Sequence, residues 1–152
     1  MALLEVRGMS KAFRGLRAVQ DVSFDVAEGA IAAMIGPNGA GKTTCFNVIA
    51  GVLLPDSGEI SLGGRRITGF RAHEVCRAGI GRTFQVVKPF PQMTVLDNVV
   101  VGALNATARV PDAQREARSV LELLLLDGKR GVLAASLTLP ERKRLEVARA
   151  IA

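Results

Sequence analysis

With 152 residues, 49% of them hydrophobic and 22% charged, the chain is long enough for one domain and apolar enough to bury a core, which excludes a disordered tail. No apolar run approaches the ~18–20 residues of a membrane span, the start MALLEVRGMSKAF lacks a secretory pattern, and two cysteines, Cys45 and Cys76, make neither a zinc site nor a disulfide framework. The formal charge of +6 is spread over scattered Lys and Arg with no Trp or Tyr between them, so a soluble protein in a reducing compartment is expected and a nucleic-acid partner is not.

Taken in chain order, residues 3–7 (LLEVR) and 19–26 (VQDVSFDV) approximate apolar/polar alternation and predict two strands, each burying one face. After a Glu28-Gly29 turn, residues 30–35 (AIAAMI) are continuously apolar and end at Gly36-Pro37. That pattern predicts a central strand covered on both faces, as in a parallel sheet flanked by helices. Residues 43–50 read as a helix stopping at Gly51, and Pro55-Asp56-Ser57-Gly58 as a turn into a strand over 59–62. His73 lies in a further helical stretch and reads as surface or helix structure; Cys45 reads as a small core residue. Residues 113–126 carry apolar positions at helical spacing after Pro111-Asp112 and before Gly128 as a stop, and another helix begins near Pro140 and still runs at Ala152. The chain therefore reads as cut inside a helix. The expected fold is α/β, with strands and turns over about 1–85 and a helical portion over about 92–152.

Gly36, Pro37, Asn38, Gly39, Ala40, Gly41, Lys42, Thr43 and Thr44 fit G-x-x-x-x-G-K-[ST] in the strand-to-helix setting that gives the motif its meaning. Glycines let the backbone curl so that its N–H groups converge on a phosphate. The helix start adds its own unpaired amides and partial positive charge, and Lys42 adds a full one. Thr43 offers a hydroxyl to Mg²⁺, and Gly41 lets the ligand approach without a Cβ. The expected ligand is a nucleoside triphosphate with Mg²⁺. A dinucleotide loop does not fit, because the spacing is not G-x-G-x-x-G.

Phosphate transfer also asks for a carboxylate at the end of a strand beside the loop. Residues 123–127 (LLLLD) match four apolar residues and an Asp, yet the stretch continues upstream as a helix and meets Gly128, so Asp127 reads as a helix end. No metal-binding acid and no catalytic base are then apparent.

GPNGAGKTT, together with residues 81–85 (GRTFQ) and 93–99 (MTVLDNV), resembles the nucleotide-binding subunits of ABC transporters, most closely those of branched-chain amino-acid importers. The resemblance runs from Leu3 to Ala152 and implies a P-loop NTPase fold, incomplete at its C-terminus, with ATP and Mg²⁺ as ligands. It implies that Phe13 stacks on adenine, that Val19 lines the base, and that Gln85 is a Q-loop residue reaching Mg²⁺ or water; the residues themselves leave Phe13 open as a core aromatic and Gln85 as a surface amide.

Leu137, Thr138, Leu139, Pro140 and Glu141 stand where the family carries its LSGGQ signature. Two glycines are replaced, an N–H is lost at Pro140, and Glu141 adds charge that Arg142 to Arg144 could offset. The family's Mg-binding Asp, catalytic Glu and switch His have no counterpart in these residues. The partners implied are a second ATP-binding subunit, membrane permease subunits and a separate solute-binding protein, at the cytoplasmic face of the plasma membrane. Two other readings remain: a non-catalytic ATP-binding fragment, and an ABC protein acting on nucleic acid or ribosomes.

Overall fold

The computed structural model describes residues 2–152, which fall into two compact units, one up to Ile80 and one over Gly81–Ala152. In the first unit, β1 (Ala2–Phe13) and β2 (Leu16–Ala27) form one antiparallel hairpin closed by Arg14-Gly15. Both turn residues have positive φ, 46° and 88°, the sense of turn that matches strand twist. β3 (Ser57–Leu62) pairs with the other edge of β1, and β4 (Arg65–Arg66) pairs with β3, so the sheet order is β2-β1-β3-β4. The alternation read from residues 3–7 and 19–26 has its expected effect. Val6, Met9 and Val19 are buried with Ile60 and Ile67, and α1 (Lys42–Ile49) covers them with Cys45, Val48 and Ile49.

The central strand expected at residues 30–35 is not formed. The sheet is antiparallel throughout, no described strand pairs with this segment, and Ile31 and Ile35 are fully exposed while Met34 alone leans on the core. A strand buried on both faces needs neighbours on both edges, and among the described residues none stands beside it. α1 ends as the glycine at position 51 predicts: Val52 N–H bonds Asn47 O at 2.9 Å and Gly51 N–H bonds Val48 O at 3.0 Å, with Gly51 at φ 69°. The short α2 (Ala72–Arg77) closes the unit, and His73 is exposed on it.

The second unit is helical. α3 (Val95–Ala103) starts at Thr94, whose hydroxyl accepts from Asp97 N–H; α4 (Val110–Leu123) starts with Pro111 in its first turn; α5 (Leu139–Ile151) follows two short 3₁₀ turns. Their apolar faces share one core made by Val95, Val99, Ala113, Ala117, Leu121, Leu126, Leu145 and Ala148. The end of α4 departs from expectation. Gly128 is not the stop; the chain leaves the helix at Leu123, and Leu125 takes the left-handed conformation at φ 56°. Leu126 N–H reaches back to Leu121 O at 2.8 Å and Leu125 N–H to Glu122 O at 3.1 Å. Burying Leu126 against the same core as Leu121 is what holds a non-glycine residue in that conformation.

Candidate functional site

The loop that joins residue 35 to α1 leaves a run of its backbone donors unpaired. Ala40 N–H bonds Pro37 O at 3.3 Å, and the turn then passes through Gly41, the residue before α1, at φ 81°. Among the described residues the backbone N–H groups of Gly39, Gly41, Lys42, Thr43 and Thr44 meet no acceptor, and the first turn of α1 holds no acidic side chain and no cap. Amides left without partners at a helix start carry partial positive charge and attract anions. The Lys42 ammonium is turned into the loop, donating to Gly36 O and Pro37 O at 2.7 Å each. A bound anion would therefore draw it away from two neutral carbonyls toward full negative charge. The exposed Thr43 hydroxyl has no partner among the described residues. This donor set fits a Mg²⁺-triphosphate: amides and an ammonium for phosphate oxygens, and a free hydroxyl for the metal.

Gly41 has a different reason for being glycine than the one read from sequence. A Cβ there would lie 2.0 Å from the Ala18 carbonyl oxygen, so its missing side chain faces the β2 backbone rather than a ligand. Gly39, at φ 85°, has nothing within 4 Å. Beside the loop a cleft of about 370 Å³ is lined by Val19, Val22, Met34, Ala40, Gly41 and Cys45 among others. Val19 is thus both a core residue and part of this wall.

Phe13 is not in the core: 42% of it is exposed at the tip of the hairpin, with Lys11 Nζ 5.8 Å from the ring centroid. Asp56 fixes this corner by accepting from Lys11 Nζ at 2.6 Å and Ala12 N–H at 2.7 Å, and these bonds hold its carboxyl below the usual range, Lys11 contributing most. Phe13 does not line the cleft.

In the second unit Gln85 is exposed, on a segment that runs from Arg82, stacked 4.8 Å from the Phe84 ring, to Phe90. Asp127 stands in a 3₁₀ turn with both carboxylate oxygens on Arg130 Nη1, at 3.1 and 2.9 Å, so it forms a local ion pair three residues along the chain. At the variant signature, Leu137 is buried and Thr138, Leu139 and Pro140 are exposed. Thr138 and Glu141 form a capping box in which Glu141 Oε2 accepts Thr138 N–H at 2.9 Å.

Glu141 is not a free charge facing outward. Lys129 Nζ donates to it at 2.6 Å, and Lys129 first, then the Thr138 groups, pull its pKa down to about 2. Arg142 and Arg144 do not offset it; they donate to the carbonyls of Ala135 and of Leu124 and Leu125. With Thr138 N–H taken by Glu141 and no N–H on Pro140, the start of this helix has fewer free amides than a helix start ordinarily offers.

The sequence reading missed Lys129 as the partner of Glu141, Asn98 as a buried polar residue, and Glu146, a carboxylate only 8% exposed on α5. The legible signal for Glu146 was a charge set among Leu145, Val147 and Ala148.

The ABC transporter family matches residues 19–152. The chain belongs to that family. It is 36% identical to the probable branched-chain amino acid transport ATP-binding protein LivG of Archaeoglobus fulgidus, the match covering 99% of this chain and 63% of that protein. It is 38% identical to the lipopolysaccharide export system ATP-binding protein LptB of Acidithiobacillus ferridurans, over 99% of this chain and 62% of that protein. Among solved structures, the ADP conformation of an ATP-binding cassette of an ABC transporter superposes with a TM-score of 0.87 at 32% identity, covering 99% of this chain and 65% of that one. The fold is thus that of an ABC ATP-binding cassette, and the chain spans less than two thirds of the length of these relatives. No helix among the described residues is long and apolar enough to cross a membrane.

Proposed function

We propose that these residues bind ATP for a transporter motor. The loop 36–44 takes the triphosphate, Phe13 and Val19 serve the adenine, and Thr43 with Gln85 would hold Mg²⁺, whose charge offsets that of the terminal phosphates. The observation that carries the reading is the run of unpaired amides at residues 39 and 41–44 with the Lys42 ammonium curled among them. The first amides of any helix lack intrahelical partners; here those of Lys42 to Thr44 are joined by the loop amides of Gly39 and Gly41 and by a lysine, which concentrates donors at one place. None of the described residues is assigned the role of catalytic base, so the function proposed for them is nucleotide binding.

The cargo follows the relatives by name. Import of branched-chain amino acids or similar small polar solutes is the first reading, working with a second ATP-binding subunit, permease subunits and a solute-binding protein at the cytoplasmic face of the membrane. Export of a lipopolysaccharide is the second, favoured by the 38% identity to LptB. Uptake of labelled leucine by cells lacking the gene separates them: loss of uptake supports import, and normal uptake with a defective outer surface supports export.

Binding is tested by thermal unfolding with Mg-ATP. At a hundredfold excess over Kd the ligand adds about 2.7 kcal/mol, or ~5–10 °C for a chain of this size. Lys42→Ala is expected to abolish the shift, and an undiminished shift in that variant refutes the site.

A further inference from the structure

The segment that carries Gln85 is held from α5 and α3 by side chains that no motif announces. Glu146 Oε1 accepts Phe84 N–H at 2.7 Å, and Arg149, one helical turn further along the same face of α5, donates to Lys88 O at 3.0 Å while its guanidinium lies 4.5 Å from the Phe90 ring. From α3, Asn98 Oδ1 accepts Phe90 N–H at 2.8 Å and its Nδ2 donates to Phe90 O at 3.0 Å. The chain enters this segment hard against α5, since a Cβ on Gly81 would lie 2.1 Å from Ala150 O. The peptide planes on either side of Gln85, at Phe84 and at Lys88, are therefore fixed by two charged groups of one helix. Gln85 itself is left exposed between them.

We infer that Glu146 is a positioning residue for Gln85, acting through the Phe84 amide, with Arg149 and Asn98 fixing the far end of the same segment. This rests on the reading of Gln85 as a Mg²⁺-facing group. A buried carboxylate is costly unless hydrogen-bonded, and a charge-assisted bond to a backbone N–H is among the stronger ones, so Glu146 sets that peptide plane more firmly than a neutral side chain would. Because Glu146 and Arg149 share α5, the Gln85 segment and this helix move as one body.

The test compares Glu146→Ala, Glu146→Met, which fills the same space without an acceptor, and Glu146→Gln, which keeps one, in the protein as it is expressed. Amide hydrogen exchange of the nucleotide-free protein is read at Phe84, with Val99 and Leu121 as core references. Exchange at Phe84 is expected to accelerate about tenfold or more in the alanine and methionine variants, with the references unmoved, and to return to the original rate in the glutamine variant. Acceleration at Val99 and Leu121 in step with Phe84, or no acceleration at Phe84, overturns the inference.

Titration with ATP supplies the functional arm. Glu146→Met is expected to weaken Mg²⁺-dependent affinity by the same factor as Gln85→Ala, to leave Mg²⁺-free ATP binding unchanged, and to add less than twofold in the double variant. Effects that multiply overturn the inference. Lys42→Ala reports separately on nucleotide binding: if that variant binds normally the loop reading fails, while the exchange arm still reads the clamp.

Discussion

Gly39 and Gly41 sit in the same loop with nearly the same backbone angle, φ 85° and 81°, yet only Gly41 is pressed against another strand, its would-be Cβ 2.0 Å from Ala18 O. Alanine at either position must adopt a left-handed conformation, which costs about 1–2 kcal/mol. At Gly39 that is the whole cost. At Gly41 the new methyl also needs more than 1 Å of separation from a carbonyl of β2, and forcing an extra carbon into a packed site adds about 1–3 kcal/mol, for a total of about 2–5 kcal/mol. Urea denaturation of Gly39→Ala and Gly41→Ala is expected to show the second as the more destabilised by that difference. Mg-ATP titration is expected to show weakened binding in the first and none in the second, because moving residue 41 off β2 dismantles the row of amides that starts there. Equal destabilisation would mean that Gly41 serves only its φ angle, and the account of the loop as braced by Ala18 would be wrong.

Folding favours ionised Glu141, with its pKa pulled to about 2 from an ordinary 4.5, so its contribution is complete above pH 4.5 and lost as the pH falls toward 2. Glu141→Gln is expected to flatten that part of the acid-unfolding curve followed by circular dichroism, and an unchanged acid limb would contradict the Lys129 pairing. Leu125 is 81% exposed with φ 56°, so Leu125→Gly relieves about 1–2 kcal/mol of strain against a smaller loss from the freer unfolded chain. A net gain of about 0.5–1 kcal/mol in urea denaturation is expected, and a loss would show that the leucine side chain is needed where it stands. Asp127→Asn breaks an exposed pair with Arg130 and is expected to cost less than about 1 kcal/mol and to leave Mg-ATP affinity unchanged; a tenfold fall in affinity would return Asp127 to the metal.

What the sequence disclosed and what it withheld divide by the range of the interactions involved. The phosphate loop was legible because its chemistry lies in consecutive backbone groups: glycines at 36, 39 and 41, a lysine and a hydroxyl name their own neighbours. The hairpin faces and the end of α1 at Gly51 were legible for the same local reason. Residues 30–35 show the limit. Their composition reports a strand apolar on both sides, but a ladder is made with other strands, and nothing within six residues says which strands those are. At Leu125 a local rule was overridden, since the preference for glycine in a left-handed position yields when burying the next leucine outweighs the strain.

Charge partners are the least legible class. Position alone put Glu141 beside a phosphate with Arg142 to Arg144 to offset it, whereas the carboxylate turns back on its own helix and pairs with Lys129, twelve residues upstream. That choice has a chemical consequence. A signature with two glycines could present more free amides; here Glu141 takes the Thr138 N–H and Pro140 has none, so the start of α5 offers fewer donors to an anion. Glu146 makes the complementary case. A carboxylate among apolar helix positions is visible in the sequence as an exception, but its meaning is a single backbone N–H 62 residues away, and only the fold can supply that address.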